Sequence, residues 1–329
     1  MIQEMVILSD PLLIKGLTLK CRIVMPPMAT GFATEEGTAT VNLVEHYVRR
    51  AKALGLIIVE HSYVSLQGKL SERQLGIHDD GLIPGLKKLV QNVHAMGTPI
   101  AAQINHAGAR TTEEITGMPP VAPSAAEGVR ELQVGEIEDL SYAFTVAAER
   151  AMKAGFDGVE VHGAHGFLLN QFFSPLTNRR SDKYGGSLEN RMRFPLEVVE
   201  KIKDVVRGKV LMYRLGADDL DPAGTIIADS KKFGLKLQDA GVDVIDVSEG
   251  VCGSRPEKLQ GIQGYFVPQA HKIRDVVNVP VVGVGGIKDP VYADRLVREG
   301  IVDLVAVGRV LLKDPEWAIK ALQISSPHL

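Results

Sequence analysis

Apolar positions fall along this chain in eight short, almost unbroken runs, each following a stretch in which they recur at helical spacing. The runs are RIVMPPM at 22–28, LIIVEHSYV at 56–64, PIAAQINHAG at 99–108, GVEVHGAHG at 158–166, VLMYRLGA at 210–217, VDVIDVSEG at 242–250, PVVGVGGI at 280–287 and VDLVAVGR at 302–309. A strand with one wet face alternates apolar with polar residues. A strand covered on both faces does not, and parallel strands need a helix as crossover. Eight repeats of this unit predict an α/β fold, a closed (β/α)8 barrel of the TIM type.

A local signal marks the joints at one end of the barrel. Gly155 precedes Asp157, Gly241 precedes Asp243, and Gly300 to Asp303 is a looser copy. Glycine takes the left-handed conformation that ends a helix, so these pairs predict helix-to-strand turns with an architectural role. Two stretches break the rhythm. Residues 110–140, containing ITGMPPVAPSAAEG, are too long and too punctuated for a minimal loop and are expected to cap the catalytic face. After the fourth run, FLLNQFFSPLTNRRSDKYGGSLENRMRF inserts a short apolar segment and a polar turn; the next helix is expected to begin near Ser187 with Asn190 in its first turn. The residues before the first strand leave room for a hairpin or a plug beneath the barrel. Nothing reads as a linker, so residues 1–329 are taken as one domain with long loops over its C-terminal face.

Composition narrows the partners. With 45% hydrophobic and 23% charged residues the chain is an ordinary globular one, and a net charge of −3 without a basic run gives nucleic acid little to bind. Cys21 and Cys252 stand far apart, which leaves a disulfide framework, a zinc knuckle or an iron–sulfur cluster without ligands and fits a reducing cytoplasm. Glu4 sits where a signal peptide needs a cation, and apolar stretches such as LGLIIV at 54–59 fall far short of the roughly 18 residues of a membrane span. The expectation is a protein neither exported nor inserted.

Barrel enzymes carry their reactive groups at the carboxyl ends of strands. Here those ends present Pro26, Pro27, Met28 and Ala29; Glu60, His61 and Ser62; Gln103 to His106; His162 and His165; and Arg214. The last two strands end in Gly285-Gly286 and Gly308-Arg309, where backbone N–H groups and a guanidinium suit a phosphate; the plainer alternative is a pair of turns and a solvated charge. His162 and His165 admit three readings: metal ligands with Glu60 or His61 as a third, a structural pair, or two donors for an oxygen that gains negative charge. Their position where a strand gives way to a loop favours the last. Gln103 and Arg214 rise from apolar strands and need partners. Arg214 has Asp218 or Asp246 within reach of the sequence reading, and Gln103 has rim backbone; together they would also suit the edge of a flat heterocycle. A ring plus a phosphate describes a mononucleotide.

On RIVMPPM, QINHAG at 103–108, the stretch from HGAHGF through LLNQFFSPLTNRRSDKYGGSLENRMRF at 162–194 and VGR at 307–309, the chain resembles the old yellow enzyme family of flavin mononucleotide (FMN) oxidoreductases over residues 8–320. The branch it looks most like holds the barrel domains of dienoyl-CoA reductases and small ene reductases. The resemblance implies FMN at the barrel mouth, with Pro26, Pro27, Met28, Ala29 and His61 against the ring. Gln103 would meet the pyrimidine edge, Arg214 the N1/O2 region, and Gly285, Gly286, Gly308 and Arg309 the phosphate. NADH or NADPH would reduce the flavin, and hydride would pass to the β-carbon of an α,β-unsaturated carbonyl whose oxygen His162 and His165 hold. No resident metal is implied.

The chain departs from the family where members carry a proton-donating Tyr two residues after the second histidine: it has Phe167. Solvent or Tyr265, Cys252 or Tyr63 would then supply the proton. Otherwise the acceptor is a quinone or nitro compound, or the protein is a flavin electron carrier. Ala29 stands where this branch often has a redox-tuning Cys and Gly31 where some members place a Tyr, so a roomier, less polar pocket is expected. A cysteine cluster of the dienoyl-CoA reductase kind, and with it a cluster-to-flavin electron path, is not expected; a homo-oligomer is compatible with the sequence, without the arginine finger some relatives lend a neighbour.

Overall fold

The computed structural model describes residues 6–325; residues 1–5, on which the reading of the N-terminus partly rests, and 326–329 lie outside them. The chain opens with a hairpin of β1 (Leu12–Ile14) and β2 (Leu17–Leu19), then runs β3 (Ile23–Met25), α1 (Val41–Ala51), β4 (Leu56–Tyr63), α2 (Ile83–His94) and β5 (Ile100–Asn105). An insertion follows with α3 (Glu113–Thr116), β6 (Val121–Ala122) and β7 (Arg130–Glu131), then α4 (Val134–Ala154), β8 (Gly158–Gly163), α5 (Leu168–Phe173), α6 (Leu188–Val205) and β9 (Val210–Gly216). The last part comprises α7 (Ile227–Ala240), β10 (Val244–Ser248), α8 (Val267–Arg274), β11 (Val281–Gly283), α9 (Pro290–Arg298), β12 (Leu304–Ala306), α10 (Arg309–Lys313) and α11 (Trp317–Ser325). β3, β4, β5, β8, β9, β10, β11 and β12 pair in parallel and in that order, and β12 closes on β3. Each of the eight apolar runs contains one of these strands. The barrel is therefore the one the periodicity predicts.

Strand parity divides the barrel wall into an inside and an outside. Val24, Leu56, Ile58, Ala101, Val210, Met212, Val244, Val282 and Leu304 pack together inside, and Ile14 and Leu19 of the hairpin join them. The hairpin is thus a plug under the barrel. The alternate residues, among them Val59, Ala102, Val159, Leu211 and Ile245, face outward onto the helices. Two residues further up the inner face the character changes, and Gln103, Glu160, Arg214 and Asp246 take over, all buried.

The glycine–aspartate joints do more than turn the chain. Gly155, Gly241 and Gly300 have φ of +93°, +104° and +66°, the left-handed values the motif requires. Each aspartate then accepts a backbone N–H at the start of the preceding barrel strand: Asp157 from Ile100 (3.0 Å), Asp243 from Leu211 (2.8 Å) and Asp303 from Val281 (2.9 Å). A cation backs each one, Lys209, Lys15 and Arg274 respectively. These carboxylates pin neighbouring strands at the sealed end.

Two expectations about the insertions differ in outcome. Ser187 caps α6, its Oγ accepting from Asn190 N at 3.2 Å, as the sequence predicts. The stretch expected to run to residue 140 ends earlier, because α4 starts at Val134 with Glu136 bonded back to Gln133 N. Of its residues Arg110 lines the cavity at the mouth.

Removing one strand pin leaves a buried N–H without a partner, which costs about 1–3 kcal/mol. Asp243→Ala is expected to lower stability by that amount in urea titrations, with Asp243→Asn losing less.

Candidate active site

The carboxyl ends of the strands surround a cavity of about 790 Å³, within the range of small-molecule sites. Its walls include Pro26, Pro27, Met28, Ala29, His61, Gln103, His162, His165, Arg214, Gly285, Gly286, Gly308 and Arg309, so the residues expected at the ring, the phosphate and the acceptor oxygen meet in one place, while the strand-end residues Glu60, Ser62, Asn105 and His106 do not line it. Phe167, Ser248, Arg110 and Tyr265 also line it. The prolines end β3 because they have no N–H to continue the ladder, and their rings form an apolar plate.

Under the mouth lies a polar belt. Gln103 Nε2 donates to Glu160 Oε1 at 2.7 Å, which leaves Gln103 Oε1 buried with no protein partner. Arg214 Nε lies 3.6 Å from Asp246 Oδ2, an ion pair too long to be a hydrogen bond. Asp246 is thus the partner of Arg214; Asp218 instead accepts from Leu220 N. Burial, then the neighbouring Asp246, push Glu160 up to about 8, and burial raises Asp246 against the pull of Arg214. Glu160 was not singled out from the sequence. Its signal was its parity, two residues before His162 on the same strand.

His162 ends β8, and the turn that follows holds His165 at φ +60°, a conformation a non-glycine residue rarely adopts. A Cβ at Gly163 would lie 2.0 Å from the Tyr213 hydroxyl, so only glycine fits that joint. The two imidazoles stand at 89° with centroids 5.1 Å apart. His165 N donates to Glu249 O at 3.0 Å, and its Nε2 lies 2.7 Å from Ser248 Oγ. Burial drives both rings well below the ordinary histidine range; His165 and Arg214 add to this at His162, and Arg214 and His61 at His165. Both are therefore neutral at pH 7, each with one N–H to donate. Among the described residues no three His, Cys, Asp or Glu side chains gather as a metal site.

At the other end, Gly285 and Gly286 have φ of +125° and +65°. A Cβ on Gly286 would lie 2.8 Å from Arg309 Nη2, and one on Gly308 2.9 Å from Met28 Sδ, so side chains there would fill the cradle. Arg309 Nη2 donates to the Tyr265 hydroxyl at 3.3 Å. Arg110, Arg214, Arg255, Lys288, Arg309 and Lys313 all line the cavity, and no Asp or Glu does. An apolar plate, a belt of unpaired polar atoms and a glycine-lined cationic end fit a flat heterocycle with a phosphate tail, as FMN is.

Of the alternative proton sources, Tyr265 sits at this cationic end with its hydroxyl donated to Ser254 O. Tyr63 and Cys252 do not line the cavity. The Tyr63 hydroxyl donates to Glu36 O, and burial followed by Glu249 pushes the Cys252 thiol up to about 12.

A family model described as NADH:flavin oxidoreductase / NADH oxidase matches residues 8–325. An NADH oxidase of Thermoanaerobacter brockii is 46% identical over 321 residues, 94% of this chain and 49% of its own, so this chain spans about half the length of that relative. An NADPH dehydrogenase of Geobacillus sp. strain WCH70 is 40% identical over 95% of this chain and 93% of its own. Among solved structures, the old yellow enzyme homologue of Zymomonas mobilis superposes with a TM-score of 0.84 at 29% identity, covering 97% of this chain and 93% of that one.

Glu249, behind Ser248, gives the site a pH signature. Burial, then Asp218 and Asp219, push its carboxyl up to about 8. The folded protein holds this proton where the unfolded chain has released it, so the contribution of Glu249 to stability is full below about pH 4.5 and is lost as pH rises towards 8. Urea midpoints should drop over that window, and Glu249→Gln should shallow the drop.

Proposed function

The chain belongs to the NADH:flavin oxidoreductase / NADH oxidase family, FMN-dependent NAD(P)H oxidoreductases of the old yellow enzyme type, and on that premise we propose that it reduces a small activated alkene whose carbonyl oxygen is held by His162 and His165. The observation that carries this reading is the pair of neutral, perpendicular imidazoles on the wall of a cavity whose far end suits a phosphate. FMN, when bound, would supply the two-electron chemistry that links NADH or NADPH to the β-carbon of the acceptor.

The chain's own residues do the rest. Gln103 Oε1, its amide oriented by Glu160, would accept an N–H at the pyrimidine edge of the ring. Arg214 would place positive charge beside the part of the ring that becomes anionic on reduction. Gly285, Gly286, Gly308 and Arg309 would hold the phosphate, while Pro26, Pro27, Met28, Ala29 and His61 cover the ring. The N–H groups of His162 and His165 would polarise the carbonyl and hold the enolate oxygen, at about 2–4 kcal/mol per well-placed donor. Six cations on the walls suit the phosphates of a dinucleotide as well as the cofactor's own.

Proton delivery favours a second reading. The aromatic side chain at 167 has no hydroxyl, and the phenols and thiol considered in its place lie elsewhere or are engaged. Acceptors that take their protons on oxygen, such as quinones and nitro compounds, need no acid at that point.

The purified protein is expected to be yellow or to become so with FMN, and NADH or NADPH should bleach it without air; a protein that takes up no FMN overturns the reading. Phe167→Tyr should raise 2-cyclohexenone turnover towards the roughly 10²- to 10⁴-fold worth of a positioned acid while leaving quinone turnover near its original rate. An unchanged cyclohexenone rate assigns the proton to solvent.

A further inference from the structure

His61 lines the cavity at the end of β4. It lies where the ladder between β4 and β5 slips, for Val59 pairs with Ala102 but Ser62 with Ile104. By parity His61 belongs with Ile57 and Val59, which face outward. The extra residue turns its ring to the cavity wall instead, 6.2 Å from the ring of His162 and 5.4 Å from that of Phe167. Bulges re-aim side chains in this way beside active sites.

A chain of bonds fixes the proton on this ring. Leu70 N donates to Gln74 Oε1 at 2.6 Å, which identifies the oxygen end of that buried amide. Gln74 Nε2, the donor end, reaches His61 O at 3.0 Å and His61 Nδ1 at 2.7 Å. An amide nitrogen only donates, so Nδ1 carries the lone pair and the neutral ring keeps its proton on Nε2. Burial, then Arg214, hold His61 at about 4, so the ring is neutral through the physiological range. Neither other imidazole is dictated in this way. His162 Nδ1 has no protein partner, and His165 Nε2 faces a serine hydroxyl that can donate or accept.

We propose that His61, presented by Gln74 as an Nε2–H donor, extends the His162–His165 pair into a subsite for a second oxygen of the acceptor, selecting compact rings that bear two oxygens, such as diones, quinones and imides. The proposal deepens the function given above and rests on it. An acceptor with one carbonyl satisfies the pair and leaves the third donor to water or to nothing. A second oxygen satisfies it, and Phe167, packed against both His61 and His162, has no hydroxyl to compete for that oxygen. Gln74 is the positioning residue: it does not line the cavity and acts only through the tautomer it imposes.

The test titrates the FMN-loaded protein with cyclohexanone and with 1,4-cyclohexanedione, saturated rings that differ by one oxygen, and follows the visible flavin band. The dione should bind about three- to tenfold tighter than the monoketone, one neutral hydrogen bond's worth and more than the statistical factor of about two. His61→Phe should reduce that preference to the statistical factor, read as the ratio of the two dissociation constants within the variant. Gln74→Glu keeps the ring but should move its proton to Nδ1, seen by ¹⁵N–¹H NMR of the imidazole, and abolish the preference likewise. No preference in the wild type, a preference that survives His61→Phe, or one that survives a demonstrated tautomer change overturns the proposal. The two variants are independent, so misfolding of one leaves the other decisive. A protein that takes up no FMN refutes the underlying function; a yellow, nicotinamide-reducible protein without dione preference refutes the subsite alone.

Discussion

A closed parallel barrel has no edge and one interior, and strand parity decides what that interior contains. On β5, β9 and β10 the inward residue is apolar in the lower part of the wall and polar in the upper part: Ala101 gives way to Gln103, Met212 to Arg214 and Val244 to Asp246, while Pro26, Val284 and Ala306 keep the side of β3, β11 and β12 apolar. The lower layer, sealed by the hairpin plug, supplies the burial that stabilises the fold. The upper layer places buried polar atoms where the protein cannot satisfy all of them, Gln103 Oε1 and Arg214 Nε among them. Buried polar groups without partners cost free energy, and a ligand that supplies the partners recovers it. One alternation thus builds both the scaffold and the demand for a cofactor.

Electrostatics divides the mouth in the same economical way. The carboxyl groups of the belt, Glu160 and Asp246, lie beneath the cavity with their charged forms disfavoured by burial, while the cavity walls carry only cations. The imidazoles are kept neutral by burial and by the nearby guanidinium of Arg214. A neutral imidazole gives up stronger charge–charge attraction but keeps a fixed donor that needs no proton from solvent. This suits an oxygen whose charge appears only during reaction, because the donors are in place before the charge is.

Much of this was legible in the sequence because two periodicities and glycine chemistry are local. The eight runs, the Gly–Asp joints and the Ser187 cap depend on residues a few positions apart. The strand-end rule then brought Gln103, His162, Arg214 and Arg309 into one cavity without any knowledge of contacts. What sequence reading missed depends on register. The bulge between Val59 and Ser62 reverses the facing of His61, and no pattern within β4 announces it. Gln74 is thirteen positions from the ring it orients, in a loop with no strand to place it. The choice of Asp246 over Asp218 as partner of Arg214 follows from the Asp246–Arg214 pairing of β10 with β9, which is a tertiary fact. The early start of α4 at Val134 was hidden because polar residues in its first turn resemble a loop.

Phe167 shows how such a site changes its chemistry without losing its frame. Its ring packs at 4.8 Å from His162 and 5.4 Å from His61, and the Arg110 guanidinium lies 5.7 Å from its centroid. The ring at this position thus packs against both imidazoles, and a smaller side chain would leave a gap in the wall. The hydroxyl that a tyrosine would add is separable from that packing. Without it, the imidazoles that would hold the acceptor's oxygen in the proposed reaction keep their places, and no phenol stands at position 167 to protonate carbon. In the proposed reaction electron delivery and proton delivery would fall to different atoms, and the second would be left to the acceptor's own chemistry or to water. Acceptors that protonate on oxygen lose least by this arrangement. The donor that His61 adds to the wall points the same way, since the oxygens of such acceptors are the groups it can hold.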